Sequence, residues 1–85
     1  MDSLMLDGNA VAGLLQDVFA MEMTTAVGTC TGCGAVEPVG AVHVFRSAGI
    51  VLRCPHCENV LAKIVQSESR IWISFPGVRT LELSP

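Results

Sequence analysis

Cys30-Thr31-Gly32-Cys33 and Cys54-Pro55-His56-Cys57 are two CxxC pairs separated by twenty residues, and their reading decides the fold. Paired CxxC turns so spaced are the pattern of a four-thiolate metal site. Zn–S bonds of about 2.3 Å in a tetrahedron need sulfurs roughly 4 Å apart, which a tight CxxC turn can present while aiming backbone N–H groups at them. Gly32 inside the first turn and Gly34 directly after it admit a left-handed backbone without side-chain penalty. Pro55 presets φ for the second turn. There Glu58 and Asn59 follow where a glycine would be easiest. Asn accepts a positive φ and Glu does so poorly, so strain or a different turn is expected at that point.

Disulfides are the competing use of four cysteines, and a chain with no export signal argues against them. A redox CxxC needs only one such pair. The expected cofactor is therefore one Zn²⁺ per chain, with Cys30, Cys33, Cys54 and Cys57 as its ligands. A rubredoxin-type iron site is the runner-up, since iron takes the same four thiolates and a Pro often follows the first Cys of its second knuckle. Rubredoxins are more acidic, and aromatic side chains pack around their iron. This chain has no Tyr and only Phe19, Phe45, Trp72 and Phe75.

Size makes a metal staple welcome. Eighty-five residues allow one small domain. Ordering it costs roughly 1.5 kcal/mol per residue, about 130 kcal/mol in all, which apolar burial alone only about matches. At 51% hydrophobic and 15% charged, with a mean hydropathy of +0.54, the chain is no disordered tail. Arg46, Arg53, Lys63, Arg70 and Arg79 are scattered and outnumbered by eight acidic residues, so nucleic acid is not the favoured partner. No apolar run approaches the roughly 20 residues that cross a bilayer, and the N-terminus lacks the basic start and apolar stretch of a signal peptide. A cytoplasmic protein without a membrane segment is expected.

Neither histidine reads as a ligand or catalyst. His56 lies between Cys54 and Cys57, where inner knuckle residues face outward, and four sulfurs leave no vacancy. His43 alternates with Val42 and Val44 in a strand-like stretch. A nucleophile–histidine constellation would have to use one of these two, and no carboxylate cluster stands in for it. No enzymatic activity and no small-molecule substrate are expected.

Along the chain, Leu6 to Val11 opens a helix, with Asp7 as N-cap and Leu6 and Val11 placed as a hydrophobic staple. Val11, Leu14, Leu15, Val18 and Phe19 form one continuous helical face, which must be packed because Gly8 and Gly13 weaken the helix. Residues 22–27 read as a short strand entering the first knuckle. Residues 41–46 and 49–53 flank Ser47-Ala48 as a hairpin, and the second of these strands delivers Cys54. Stretches 60–65, 70–75 and 78–83 read as three more strands, joined by residues 66–69 and by Pro76-Gly77. Alternation puts Ile71, Ile73 and Phe75 on one side and Trp72 on the other, so one short helix leaves an apolar face open. The alternative is that the sheet curls round its own side chains with Trp72 closing the core.

The knuckles and hairpins resemble a zinc ribbon. Together, Leu6-Asp7-Gly8-Asn9-Ala10, Cys30-x-x-Cys33-Gly34, Leu52-Arg53-Cys54-Pro55-x-Cys57, Val60-Leu61 and Leu81-Glu82-Leu83 resemble a family of small, uncharacterised actinobacterial proteins, a domain of unknown function. The resemblance spans nearly the whole chain. It implies metal binding at the four cysteines and no activity, while Glu58 departs from the small residue usual after a ribbon knuckle. The expected fold class is a small metal-stabilised α+β or mostly β domain over residues 1–85. A helix and lead-in strand (1–29) precede an antiparallel zinc-ribbon sheet with both knuckles (30–85). Zinc ribbons as a class bind proteins or nucleic acids, so fold alone selects no function. A structural zinc module that docks on a protein partner or on itself is the leading expectation. A nucleic-acid-binding ribbon and rubredoxin-like electron transfer are the alternatives.

Overall fold

Val42 and Val44, Ile50 and Leu52, and Ala62 and Ile64 stand two positions apart in three successive stretches, and burying the face they share sets the architecture. The structure, a computed structural model, describes residues 5–46 and 48–84. Its elements in order are β1 (Met5–Asp7), a 3₁₀ turn (Gly8–Val11), α1 (Ala12–Phe19), β2 (Val27–Cys30), β3 (Val36–Pro38), a second 3₁₀ turn (Val39–Ala41), β4 (His43–Arg46), β5 (Ile50–Arg53), β6 (Val60–Gln66), β7 (Ile71–Ser74) and β8 (Val78–Glu82). They form a five-stranded sheet, β1-β4-β5-β6-β7, and a three-stranded sheet, β3-β2-β8. Every pairing is antiparallel.

Register explains which side chains meet. Val44 lies opposite Leu52, Leu52 opposite Ala62, and Ile50 opposite Ile64, so one face of the large sheet is an apolar strip. Val11 and Leu15 from the turn and helix bury against it, with Met23 and Ala26 from the connection to β2. Leu14, Phe19 and Leu81 pack at the margin, and Leu81 brings the small sheet onto the same core. The core thus sits beneath α1 and between the sheets.

Several expectations change in detail. Asp7 does cap, its carboxylate accepting from the Asn9 backbone N–H at 3.1 Å, but it caps the 3₁₀ turn and the α-helix begins only at Ala12. Leu6 packs against the core that holds Val11, in keeping with the staple. Val18 is half-buried and lies outside the core cluster, unlike the other four residues of the expected face. The lead-in strand starts at Val27 rather than residue 22, because residues 23–26 make a turn in which the Ala26 N–H donates to the Met23 carbonyl at 3.1 Å. The expected single ribbon sheet is two sheets. β1 and β3 are strands that three-residue stretches did not announce, and β8 leaves β7 to pair with β2. The 43–46 and 50–53 strands pair as expected, while Ser47 of their turn lies outside the described residues.

The far hairpin stays uncovered. Val65, Ile71, Trp72, Ile73 and Phe75 are all exposed, so Trp72 does not close the core. Among the described residues, no helix is long and apolar enough to cross a membrane.

Candidate metal centre

Both knuckles begin where a ladder changes register. The β2–β8 ladder shifts between Thr29 and Cys30, leaving Arg79 of β8 as the extra residue, and the β5–β6 ladder shifts between Leu52 and Arg53, leaving Leu61 of β6 as the extra residue. Such an irregularity in the partner strand sharpens the local twist beside the knuckle. The two turns then repeat one hydrogen-bond scheme. The Cys30 N–H donates to the Ala35 carbonyl at 3.0 Å, and the Cys54 N–H to the Asn59 carbonyl at 2.9 Å. The Gly34 N–H returns to the Cys30 carbonyl at 3.0 Å, and the Glu58 N–H to the Cys54 carbonyl at 2.9 Å. Inside each turn a backbone N–H donates to the first sulfur, Gly32 to Cys30 Sγ at 3.3 Å and His56 to Cys54 Sγ at 3.4 Å.

The correspondence extends to backbone conformation. Gly34 has φ 77° and Glu58, its counterpart, has φ 64°. A left-handed non-glycine costs about 1–2 kcal/mol, so the strain expected at Glu58 is present. Contacts hold the residue in place. Arg53 donates to its carbonyl at 2.9 Å while lying over the Phe45 ring, and His43 Nδ1 meets its carboxylate at 2.9 Å.

The four sulfurs gather as the spacing requires, all within 4.8 Å of one another in an arrangement that could hold a metal ion. Cys30 Sγ lies 3.7 Å from Cys57 Sγ, and Cys33 Sγ lies 3.7 Å from Cys54 Sγ. All four are free cysteines. Cys30 and Cys54 are buried against the core, and Cys33 and Cys57 face solvent.

Crowding four thiols splits their acidities. The Cys33 backbone N–H, aided by those of Gly32 and the Asn59 side chain, draws the Cys30 thiol down from 9.0 to about 6. At Cys57 the Asn59 backbone N–H pulls downward, but desolvation and the sulfurs of Cys30, Cys33 and Cys54 outweigh it and push the thiol up to about 12. Successive negative charges so close together repel unless a cation neutralises them.

Two supporting residues were not read from the sequence. Asn59 reaches across to the other knuckle, its Nδ2 lying 3.8 Å from Cys30 Sγ. Gly77 is buried between the knuckles, its carbonyl accepting from Thr31 N–H at 2.8 Å and its N–H donating to the Leu61 carbonyl at 3.2 Å. The Pro76-Gly77 pair signalled a turn; its role as a bridge needed the tertiary structure. His56 is exposed and bonded through Nε2 to Glu37, and His43 is half-buried on Glu58, so neither ring is among the gathered sulfurs. No curated protein and no solved structure matches the chain. With the fold and the cysteine cluster in view, the chain belongs to a family of unknown function, DUF6510, whose profile matches residues 2–85.

Proposed function

We propose that Cys30, Cys33, Cys54 and Cys57 hold one Zn²⁺ and that the protein is a structural, non-catalytic zinc-ribbon-like module that works by docking on protein. The observation that carries the reading is the sulfur geometry. Bonds of about 2.3 Å in a tetrahedron give sulfur–sulfur edges of about 3.8 Å, and two inter-knuckle edges are 3.7 Å. The N–H groups on Cys30 and Cys54 suit thiolates, as does the N–H donated from Asn59 beside them. When bound, the ion neutralises the clustered thiolates and ties both knuckles to the core. A four-sulfur shell leaves no open position for a reacting water, which favours a structural over a catalytic role.

Native mass spectrometry and elemental analysis of protein purified without added metal test the reading. One zinc per chain, released by chelation to leave four titratable thiols, is the expected result. A red protein containing iron would replace it with electron transfer, and two disulfides in freshly prepared protein would overturn metal binding altogether.

A further inference from the structure

Among the described residues the two sheets leave four free strand edges, and they are not alike. β1 and β3 have three residues each, and β3 ends in Pro38. β8 carries Arg79 and Glu82. Short length, proline and charge are the usual protections of an edge against pairing with another chain. β7, Ile71-Trp72-Ile73-Ser74, has no charge, no proline and no bulge in its pairing with β6.

The hydrogen-bond phase of that edge is set by the hairpin. Ser67 lies opposite Arg70 in the β6–β7 register and donates to its carbonyl at 2.8 Å, so this is a hydrogen-bonded pair. Antiparallel pairs alternate. Trp72 therefore bonds with Val65, while Ile71 and Ile73 turn their N–H and C=O groups away from β6 toward the free edge. Around that edge Val65 is 38% exposed, Ile71 46%, Trp72 53%, Ile73 36% and Phe75 44%. By alternation Val65 and Trp72 lie on one face and Ile71, Ile73 and Phe75 on the other, where the Phe75 ring stands 6.3 Å from that of Phe19. For side chains of roughly 150–250 Å², these fractions leave on the order of 200 Å² of apolar surface open on each face of the edge.

We propose that β7 pairs antiparallel with β7 of a second copy across a two-fold axis, joining two five-stranded sheets into one. This rests on the reading of the protein as a docking module and names its partner. The edge is its own complement. With Trp72 opposite Trp72 of the second copy, Ile71 of each chain meets Ile73 of the other, and the two outward-facing residues exchange four backbone hydrogen bonds. The operation is isologous and closes at two, so it consumes both exposed edges without starting a fibre. Opposed tryptophans occupy the closer, non-hydrogen-bonded pair, where aromatic cross-strand contacts are strongest. Even with both faces wholly covered, about 400 Å² per copy makes about 800 Å² in total, below the standard total of about 1,200–2,000 Å², so the dimer is weak, with a dissociation constant in the micromolar range or above.

The test is sedimentation of metal-loaded protein from about 1 µM to about 1 mM, with fluorescence of Trp72, the chain's single tryptophan, read in parallel. The expected result is a reversible shift from the 9.0 kDa monomer to twice that mass, with a blue shift of the indole emission. Ile73→Pro removes only an N–H that β6 does not use, a placement an edge strand tolerates, and should weaken the dimer at least tenfold while metal content and circular dichroism stay native. Two doubly charged variants guard against misfolding of the proline form. Ile71→Lys with Ile73→Lys, and Ile71→Glu with Ile73→Glu, should each remain monomeric alone and dimerise when mixed. A wild type monomeric at about 1 mM, or a dimer indifferent to these changes, overturns the proposal. An edge that captures a different protein while the chain stays monomeric also overturns it. Metal content measured on the same samples reports separately on the zinc reading.

Discussion

Replacing Gly77 by Ala should damage the metal centre although residue 77 touches no sulfur. A Cβ built on Gly77 falls 2.1 Å from the Val60 carbonyl oxygen and 2.9 Å from Asn59 Nδ2, and the first of these is backbone that must move. Overpacking of this kind costs about 1–3 kcal/mol. The displacement also strains the bonds from Thr31 N–H to Gly77 and from Gly77 N–H to Leu61, each worth about 0.5–1.5 kcal/mol. The total is about 2–6 kcal/mol, against roughly 4–13 kcal/mol for the whole stability of a domain this size. Because these bonds link the knuckles, metal affinity should fall as well. Urea unfolding of the loaded protein reads the first effect, and competition with a chromophoric chelator reads the second. Gly28→Ala is the matched control, its new Cβ meeting nothing nearer than Leu81 Cδ1 at 3.8 Å. If Gly77→Ala unfolds at the wild-type midpoint and holds metal as tightly, the bridge between the knuckles plays no part in stability.

Cys54→Ser should leave a largely unfolded or aggregating chain, because structural zinc in small peptides is worth about 10–16 kcal/mol of apparent binding free energy; native circular dichroism and melting in this variant would refute metal-dependent folding. Gly34→Ala should lower stability by about 1 kcal/mol, since its φ of 77° penalises any Cβ even though nothing lies within 4 Å. Gly13→Ala, at an equally open position in α1, should instead raise stability by up to about 1 kcal/mol, so thermal melts moving in the same direction would contradict the backbone argument. Metal affinity should rise with pH between about pH 6 and pH 8, because the ion must displace thiol protons and the Cys57 thiol, pushed up to about 12, holds its proton throughout that window. A flat chelator-competition profile would argue against thiolate ligation.

The centre was far more legible in the sequence than the sheet arrangement. Four cysteines at CxxC spacing announce themselves because sulfur–metal geometry tolerates few alternatives, and the structure gathers those four residues. The stretches that became β4 to β8 show two-residue alternation, a local signal. Met5–Asp7 became a strand only because β4 offers its edge, and Val36–Pro38 only because β2 does. Neither is long enough to carry a period. The division into two sheets was hidden for a related reason: β7 and β8 are neighbours in sequence, joined through a Pro76-Gly77 pair that would equally suit a hairpin, yet β8 pairs with β2, far away in the chain. Asn59 escaped because its importance lies across the gap between knuckles, at Cys30, twenty-nine positions away.

The pairing of β2 with β8 has a consequence for the order in which the chain acquires structure during synthesis. Thr29 and Thr80, whose hydroxyls meet at 3.0 Å, are separated by 51 residues, so β2 leaves the ribosome long before its second neighbour exists. Until then the first knuckle hangs on the short β2–β3 ladder alone. Contacts of such long range slow folding and keep strand edges open meanwhile. A nascent chain halted ahead of Val78 would carry all four cysteines yet lack the strand that steadies Cys30.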